Sequence, residues 1–277
     1  MTWPLAAGSV EIPKQKKFGG LIDVNVSLGA WPFRGSGSGR ETAAWVRKLR
    51  KAGVTQAWAG SFEAMFQKDL HSVNDRLARD CRTFGRGILQ PFGTVNPAAP
   101  DWREEWRRCR FERGMLGIRL FPGYHGYALD DARFRELLRM AAASGAVVQL
   151  ALQMEDERMV HPRVQIPMLE AGPLAESVAG VRGLKLVLLN SFRVLRAKPL
   201  LQVLAAGDVF LEISSLEGMG GIESLLAEVP SGRVLFGSHA PFLYFESAIL
   251  KLKESGLEGK SLEALKHANA AGLVAGV

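Results

Sequence analysis

The sequence predicts a (β/α)8 TIM barrel built as one domain, and three observations carry that expectation. Short apolar runs alternate along the chain with longer segments of helical periodicity. The runs recur about every 30 residues, the length of a strand joined to the next by a crossover helix. No composition shift or Gly/Ser linker divides the 277 residues, a length that suits one barrel. An open, doubly wound sheet shares this alternation, so the strand count alone leaves closure undecided.

The first run, LIDVNVSL at 21–28, alternates apolar residues with Asp23, Asn25 and Ser27 before turning at Gly29 into Trp31-Pro32-Phe33-Arg34. Polar side chains in a strand that is otherwise built for burial need hydrogen-bond partners or a function. ETAAWVRKLRKAG then reads as an amphipathic helix ending at Gly53, and VTQAWAGSF as the second strand. A helix near 68–84 leads to ILQPFGTVNP, and the WREEWRRC helix leads to MLGIRLFPGY. DARFRELLRMAAASG precedes AVVQLALQ, and a helix within 165–181 precedes LKLVLLNSF. A helix at 197–206 leads to DVFLEISSL, GIESLLAEVP to RVLFGSHAPF, and helices fill the rest. Residues 1–19 read as an N-terminal arm and 20–277 as the barrel domain; GSGSG at 35–39 falls inside the first loop.

Composition excludes several classes. With 47% hydrophobic and 23% charged residues the chain has ample core material. No apolar run approaches the ~18 residues that span a bilayer, and the N-terminal segment lacks the order of a signal peptide. Cys81 and Cys109 sit in polar, helix-like stretches, so no disulfide framework is expected and the cytoplasm is the expected compartment. The net charge is +7, but glutamates interrupt the densest basic stretch, WREEWRRCRFERG, which reads as a solvated helix face. The expected partner is therefore a small anionic metabolite, with no role for nucleic acid or membrane. The WPF turn either lines a pocket or packs against a second copy, which leaves a homo-oligomer open.

Active sites of such barrels lie at the carboxyl ends of the strands. That rule selects Asn25, Ser27 and Arg34 after strand one, and Arg119 with His125 at strand four. It further selects Gln153 after strand five, Asn190 and Arg193 after strand six, Glu212 at strand seven and His239 after strand eight. Each also has a plain structural role open to it: Asn25 and Ser27 as partners for backbone groups, Arg119 and Glu212 as an internal ion pair. His71 and His267 fall in helical segments and read as solvated.

The segments IDVNVSLG, NDRLARD, PFGTVNP, GIRLFPGY, VLFGSHAPF and HANAAGL, in this order and spacing, resemble the amidohydrolase-related (amidohydrolase-2) family of metal-dependent barrels. The resemblance implies metal ligands at an HxH pair on strand one, a His after each of strands five and six, and an Asp after strand eight. Those positions carry Asn25 and Ser27, Ala151, Asn190 and His239, so every implied ligand is replaced. An amide, a hydroxyl and a methyl do not substitute for imidazoles around zinc or its relatives. No cofactor and no metal site are therefore expected.

Two functions follow from these residues. One is metal-independent hydrolysis of a small carboxylate-bearing compound such as a lactone or activated acyl group. His239, with an ordinary pKa of roughly 6.5, would act as general base and His125 as a second acid or base. Asn25 and Asn190 would stabilise the oxyanion, Arg119 and Arg193 would clamp the carboxylate, and Arg34, Ser27, Gln153 and Glu212 would contact the substrate. The other is a catalytically inactive pseudoenzyme that binds an anionic metabolite. A metal-dependent hydrolase or decarboxylase with displaced ligands is a third reading.

Overall fold

Leu21–Leu28 forms β1, and all eight of its residues are buried. In the computed structural model, residues 20–33, 39–164 and 166–275 are described. The remaining strands are β2 (Val54–Ser61), β3 (Leu89–Gly93), β4 (Gly117–Leu120), β5 (Val147–Ala151), β6 (Lys185–Leu189), β7 (Val209–Glu212) and β8 (Val234–Leu235). Each pairs in parallel with the next, in sequence order. The ring is completed between the first strand and the segment after the last. Val24 N–H donates to the Phe236 carbonyl at 3.0 Å, Ser27 N–H to the Ala240 carbonyl at 2.9 Å, and Val26 pairs with Ala240. These contacts make the sheet a barrel rather than an open doubly wound layer.

The simple alternation expected for β1 does not hold. Its register against β2 slips between Leu21 and Ile22 and again between Asp23 and Val26. Val24 accordingly packs inside the barrel with Trp58 and Phe92, whereas Val26 and Leu28 join the outer layer. Trp58 stacks on Phe92 with ring centroids 4.9 Å apart, and Val147, Val187 and Leu235 complete this inner core. Outward residues such as Val148, Leu150, Leu186, Leu188 and Leu211 pack in one cluster with Leu137, Leu138 and Val203 of the surrounding helices.

Those helices begin with α1 (Gly39–Lys51), α2 (Leu70–Gly85), α3 (Trp102–Arg107), α4 (Pro122–His125) and α5 (Ala132–Ala143). α6 (Leu174–Val178), α7 (Ala197–Ala206), α8 (Gly221–Glu228), α9 (Phe245–Glu254), α10 (Gly259–Glu263) and α11 (Asn269–Val274) follow. Asp69 caps α2 by accepting the Ser72 N–H at 3.0 Å, and Asp131 caps α5 through the Arg133 N–H at 2.8 Å. The helix expected within 165–181 shrinks to the single turn of α6, because Pro167 and the Gly172-Pro173 pair interrupt it. The one-turn α4 was hidden in a stretch that reads as the tail of a strand. Asn74 ties α2 to β3, donating to the Thr94 carbonyl at 2.9 Å and accepting the Thr94 N–H at 2.8 Å.

Trp31 of the WPF turn is not exposed. It retains 2% of its accessible surface and stands edge-on to Phe62, Phe66 and Phe242 at 5.2, 5.6 and 4.9 Å. Tyr124 extends this aromatic cap through Phe66. The cap covers the barrel mouth on the side of β1, β2 and β4. Cys81 and Cys109 are buried free thiols, and burial pushes the Cys81 thiol up to about 12. Among the described residues, no helix is long and apolar enough to cross a membrane.

Candidate functional site

With one side of the mouth capped, the opening lies over β5 to β8. A cavity of about 560 Å³ is bounded there by the loops after these strands and by α9. Gln153, Asn190, Arg193, Ser214, His239 and Lys251 contribute its polar lining, and Met154, Phe242 and Leu243 part of its apolar lining.

Two lining residues have a backbone that side chains other than glycine rarely adopt. Asn190, immediately after β6, has φ 52°, and His239, past β8, has φ 55°. Both turn onto Met154. His239 Nε2 lies 2.9 Å from the Met154 carbonyl, and Asn190 Nδ2 lies 3.7 Å from its thioether sulfur. A carbonyl only accepts, so Nε2 carries the proton, and the lone pair of the neutral ring is on Nδ1. The imidazole stacks on Phe242 with centroids 4.9 Å apart.

Glu212 holds Asn190 from below. Its Oε1 accepts the Asn190 backbone N–H at 2.8 Å and Asn25 Nδ2 at 3.2 Å, and its Oε2 accepts the Ser214 N–H at 2.6 Å. Asn25 Nδ2 also donates to Asn190 Oδ1 at 3.0 Å, and Ser214 Oγ lies 2.9 Å from that oxygen. With Oδ1 so engaged, the Asn190 amide nitrogen has the soft Met154 sulfur, of a second lining residue, as its acceptor. Gly237 gives the carboxylate room: a Cβ there would stand 2.3 Å from Glu212 Oε2. Gly237→Ala is expected to cost about 1–3 kcal/mol, the usual penalty of overpacking, read as a lower urea midpoint. An unchanged midpoint would mean that Glu212 is not locked.

Asp23 secures the residue preceding His239. Its Oδ1 accepts the N–H groups of Asn25 and Ser238, both at 3.0 Å, and its Oδ2 lies 2.5 Å from Ser238 Oγ. Burial pushes the Asp23 carboxyl up to about 7, although these hydrogen bonds oppose the rise.

Other expected site residues lie elsewhere. Arg119 is wholly buried inside the barrel, where Nε donates to Gln149 Oε1 at 2.8 Å and Nη2 to the Trp58 carbonyl at 3.0 Å. Its Nη1 donates to the Val26 carbonyl at 3.0 Å and to Ser27 Oγ at 3.1 Å. Neither Arg119 nor Ser27 reaches the cavity. Arg193 does, but it is ion-paired with Asp156 and Glu217. The expected two-arginine clamp is therefore not formed. His125 is also away from the cavity: its Nε2 lies 2.9 Å from the Ala64 carbonyl, and burial pulls its pKa down. Glu212 and Asn25 form the floor rather than the lining, and Arg34 lies outside the described residues. Sequence reading missed Lys251, since nothing in FESAILKLKE sets it apart from the exposed Lys253.

The amidohydrolase family model (Amidohydro_2) matches residues 28–273, and the chain belongs to that family. Among solved structures, it is similar to 2,6-dihydroxybenzoate decarboxylase from Rhizobium (TM-score 0.70, 13% identity), covering 93% of this chain and 99% of that one. It is also similar to a dihydroxybenzoic acid decarboxylase from Polaromonas sp. JS666, solved with bound manganese and 2-nitroresorcinol (TM-score 0.68, 12% identity, 93% and 97% covered). A third is 5-carboxyvanillate decarboxylase from Sphingomonas paucimobilis (TM-score 0.66, 12% identity, 92% and 98% covered). At such identities the likeness establishes the fold. No curated protein matches the chain.

The donor set does not fit a divalent metal. Asn25 and Asn190 are hydrogen-bonded to each other, Ser27 Oγ accepts from a guanidinium, and Ala151 supplies a methyl. A cation beside Ser27 would meet the buried positive charge of Arg119 at close range. Among the described residues, no group of three or more His, Cys, Asp or Glu side chains is arranged to hold a metal ion.

Proposed function

We propose that the chain is a hydrolase of small, carboxylate-bearing acyl compounds that works without a catalytic metal. The observation that carries this reading is the pair of left-handed residues, Asn190 and His239, which converge on Met154 in the cavity lining. Such backbone outliers persist only where the surroundings hold them, and they cluster at functional sites. The neutral His239 ring would take a proton from water as the water oxygen attacks the acyl carbon. Asn190 Nδ2 would donate to the oxyanion, and the imidazolium would return its proton to the departing oxygen. The carboxylate preference draws support from the structural neighbours, whose names give aromatic carboxylates as their substrates.

The test is turnover of p-nitrophenyl acetate and a panel of carboxylated lactones by protein treated with a chelator. His239→Ala is expected to lower kcat/KM at least about 100-fold, the ordinary scale of general-base catalysis. Turnover that survives this change, or that disappears on chelation, overturns the reading.

A second reading is binding without turnover. It is favoured by the saturation of the floor, where both hydrogens of the Asn25 amide and the hydroxyl of Ser214 already have protein acceptors. Absence of turnover together with retained ligand binding would select it.

A further inference from the structure

The cavity lining holds a cation that neither the helical pattern nor the strand-end rule singles out. Lys251 reaches in from α9, half-buried, and its Nζ donates to the carbonyls of Ile213 and Ser214 at 3.1 and 2.5 Å. An ammonium has three N–H donors. The third has no acceptor among the described residues, and the group borders the cavity. Two backbone carbonyls thus fix its position without neutralising its charge.

The other charges around the cavity are arranged differently. Arg193 is held between Asp156 and Glu217, so its charge is already balanced. Asp156 also pairs with Arg158, on the solvent side. Glu217 is 66% exposed at its side chain and Glu254 is exposed, which places both acids at the rim. Glu155 lines the segment next to Met154 and has an interaction partner of its own. Burial lowers the Lys251 pKa from the ordinary lysine range, while the charges of Glu212 and Glu217 oppose that. An anion placed against Nζ restores the electrostatic balance that water supplied, and does so away from the outer acids.

We infer that Lys251 is the anion anchor of this cavity, binding the carboxylate of the ligand through its remaining N–H. The two arginines expected in that role do not form the anchor. The inference rests on the reading that this cavity is where the ligand sits. It assigns the charged end of the ligand to the β7–α9 side and the acyl carbon to the side of Asn190 and His239. The apolar body of the ligand would lie between them, against Met154, Phe242 and Leu243.

The probe is benzoate, compared with its neutral isostere benzamide, by isothermal titration with the full chain. The unaltered protein is expected to prefer benzoate. Lys251→Gln, which can still donate to both carbonyls but carries no charge, is expected to weaken benzoate about tenfold or more and leave benzamide unchanged. Lys251→Arg is expected to recover most of the benzoate affinity. Equal binding of benzoate and benzamide by the unaltered chain overturns the inference, as does binding of neither. Undiminished benzoate affinity in Lys251→Gln also overturns it. The comparison within the unaltered protein stands even if a variant fails to fold. Turnover of p-nitrophenyl acetate by the unaltered chain, measured alongside, reports on hydrolysis alone. A chain that binds benzoate through Lys251 and hydrolyses nothing would refute the hydrolase reading and keep the anchor.

Discussion

Arg119→Met is expected to be the most destabilising single change in this barrel, by about 3–5 kcal/mol, the range for breaking a buried charged network by removal of one partner. The guanidinium makes four hydrogen bonds inside the barrel, to Gln149 Oε1, Ser27 Oγ and the carbonyls of Val26 and Trp58. Methionine fills much of the volume and satisfies none of these acceptors, each of which then carries its own desolvation cost of about 1–3 kcal/mol. Burial brings the Arg119 pKa down to about 9, and the nearby Asp23 and Glu212 oppose that shift. The position is built for this side chain, since a Cβ on Gly60 would come within 2.8 Å of three of its atoms. In a chain of this length the melting temperature should fall on the order of 10 °C. Thermal and urea unfolding followed by circular dichroism provide the measurement. A loss within about 1 kcal/mol would show that Arg119 is not the hub of the interior.

The way these charges are used explains which parts of the molecule could be read from sequence. Strand and helix alternation is a repeated local signal, so the eight units and most helix positions follow from periodicity. The rule that active sites lie at strand ends selects Asn190 and His239, which the structure places on the cavity lining, because it needs only a strand boundary. It cannot decide how far along a strand a side chain leaves the cavity and enters the floor. Arg119 and Ser27 fail on that point: both are buried among the strands without reaching the cavity, and β1 contains two register slips. The aromatic cap was equally hidden. Trp31, Phe62, Phe66 and Phe242 come from three different loops, and only their meeting moves the opening to one side of the mouth. Lys251 lies on a helix whose lysines are equivalent by pattern; tertiary packing alone separates the one held by two carbonyls from its exposed neighbour.

The floor also suggests how the chain replaces what its family positions would otherwise hold. Asn25, Asn190 and Ser214 are neutral, and they gather around Glu212 with their donors turned toward its carboxylate. Arg119 supplies a positive charge in the same interior, hydrogen-bonded to the Val26 carbonyl and Ser27 Oγ next along β1. A polar barrel interior of this kind is stable only when nearly every donor and acceptor is engaged. Burial strongly opposes the ionisation of Asp23 in this interior.

Asp23→Asn should therefore change how stability depends on pH. In the unfolded chain the Asp23 carboxyl titrates near its ordinary value of 3.8, whereas in the folded protein burial raises it to about 7. Between those values the unfolded chain has released the proton that the folded chain still holds, so stability falls as pH rises. The contribution is fully present below about pH 4 and is lost once pH passes about 7. A separation of about three pH units corresponds to roughly 4 kcal/mol as an upper bound. Asparagine does not titrate, keeps an oxygen for the N–H groups of Asn25 and Ser238, and offers Ser238 Oγ an amide hydrogen in place of the carboxyl proton. The variant is expected to lack this slope, gaining on the parent steadily from pH 4.5 to 7.5 in urea unfolding. Parallel profiles would mean that Asp23 ionises freely in the folded state. Because Ser238 directly precedes His239, a confirmed slope would also mean that the strand-eight turn carrying the proposed base is held by a carboxyl group that is largely protonated below neutrality.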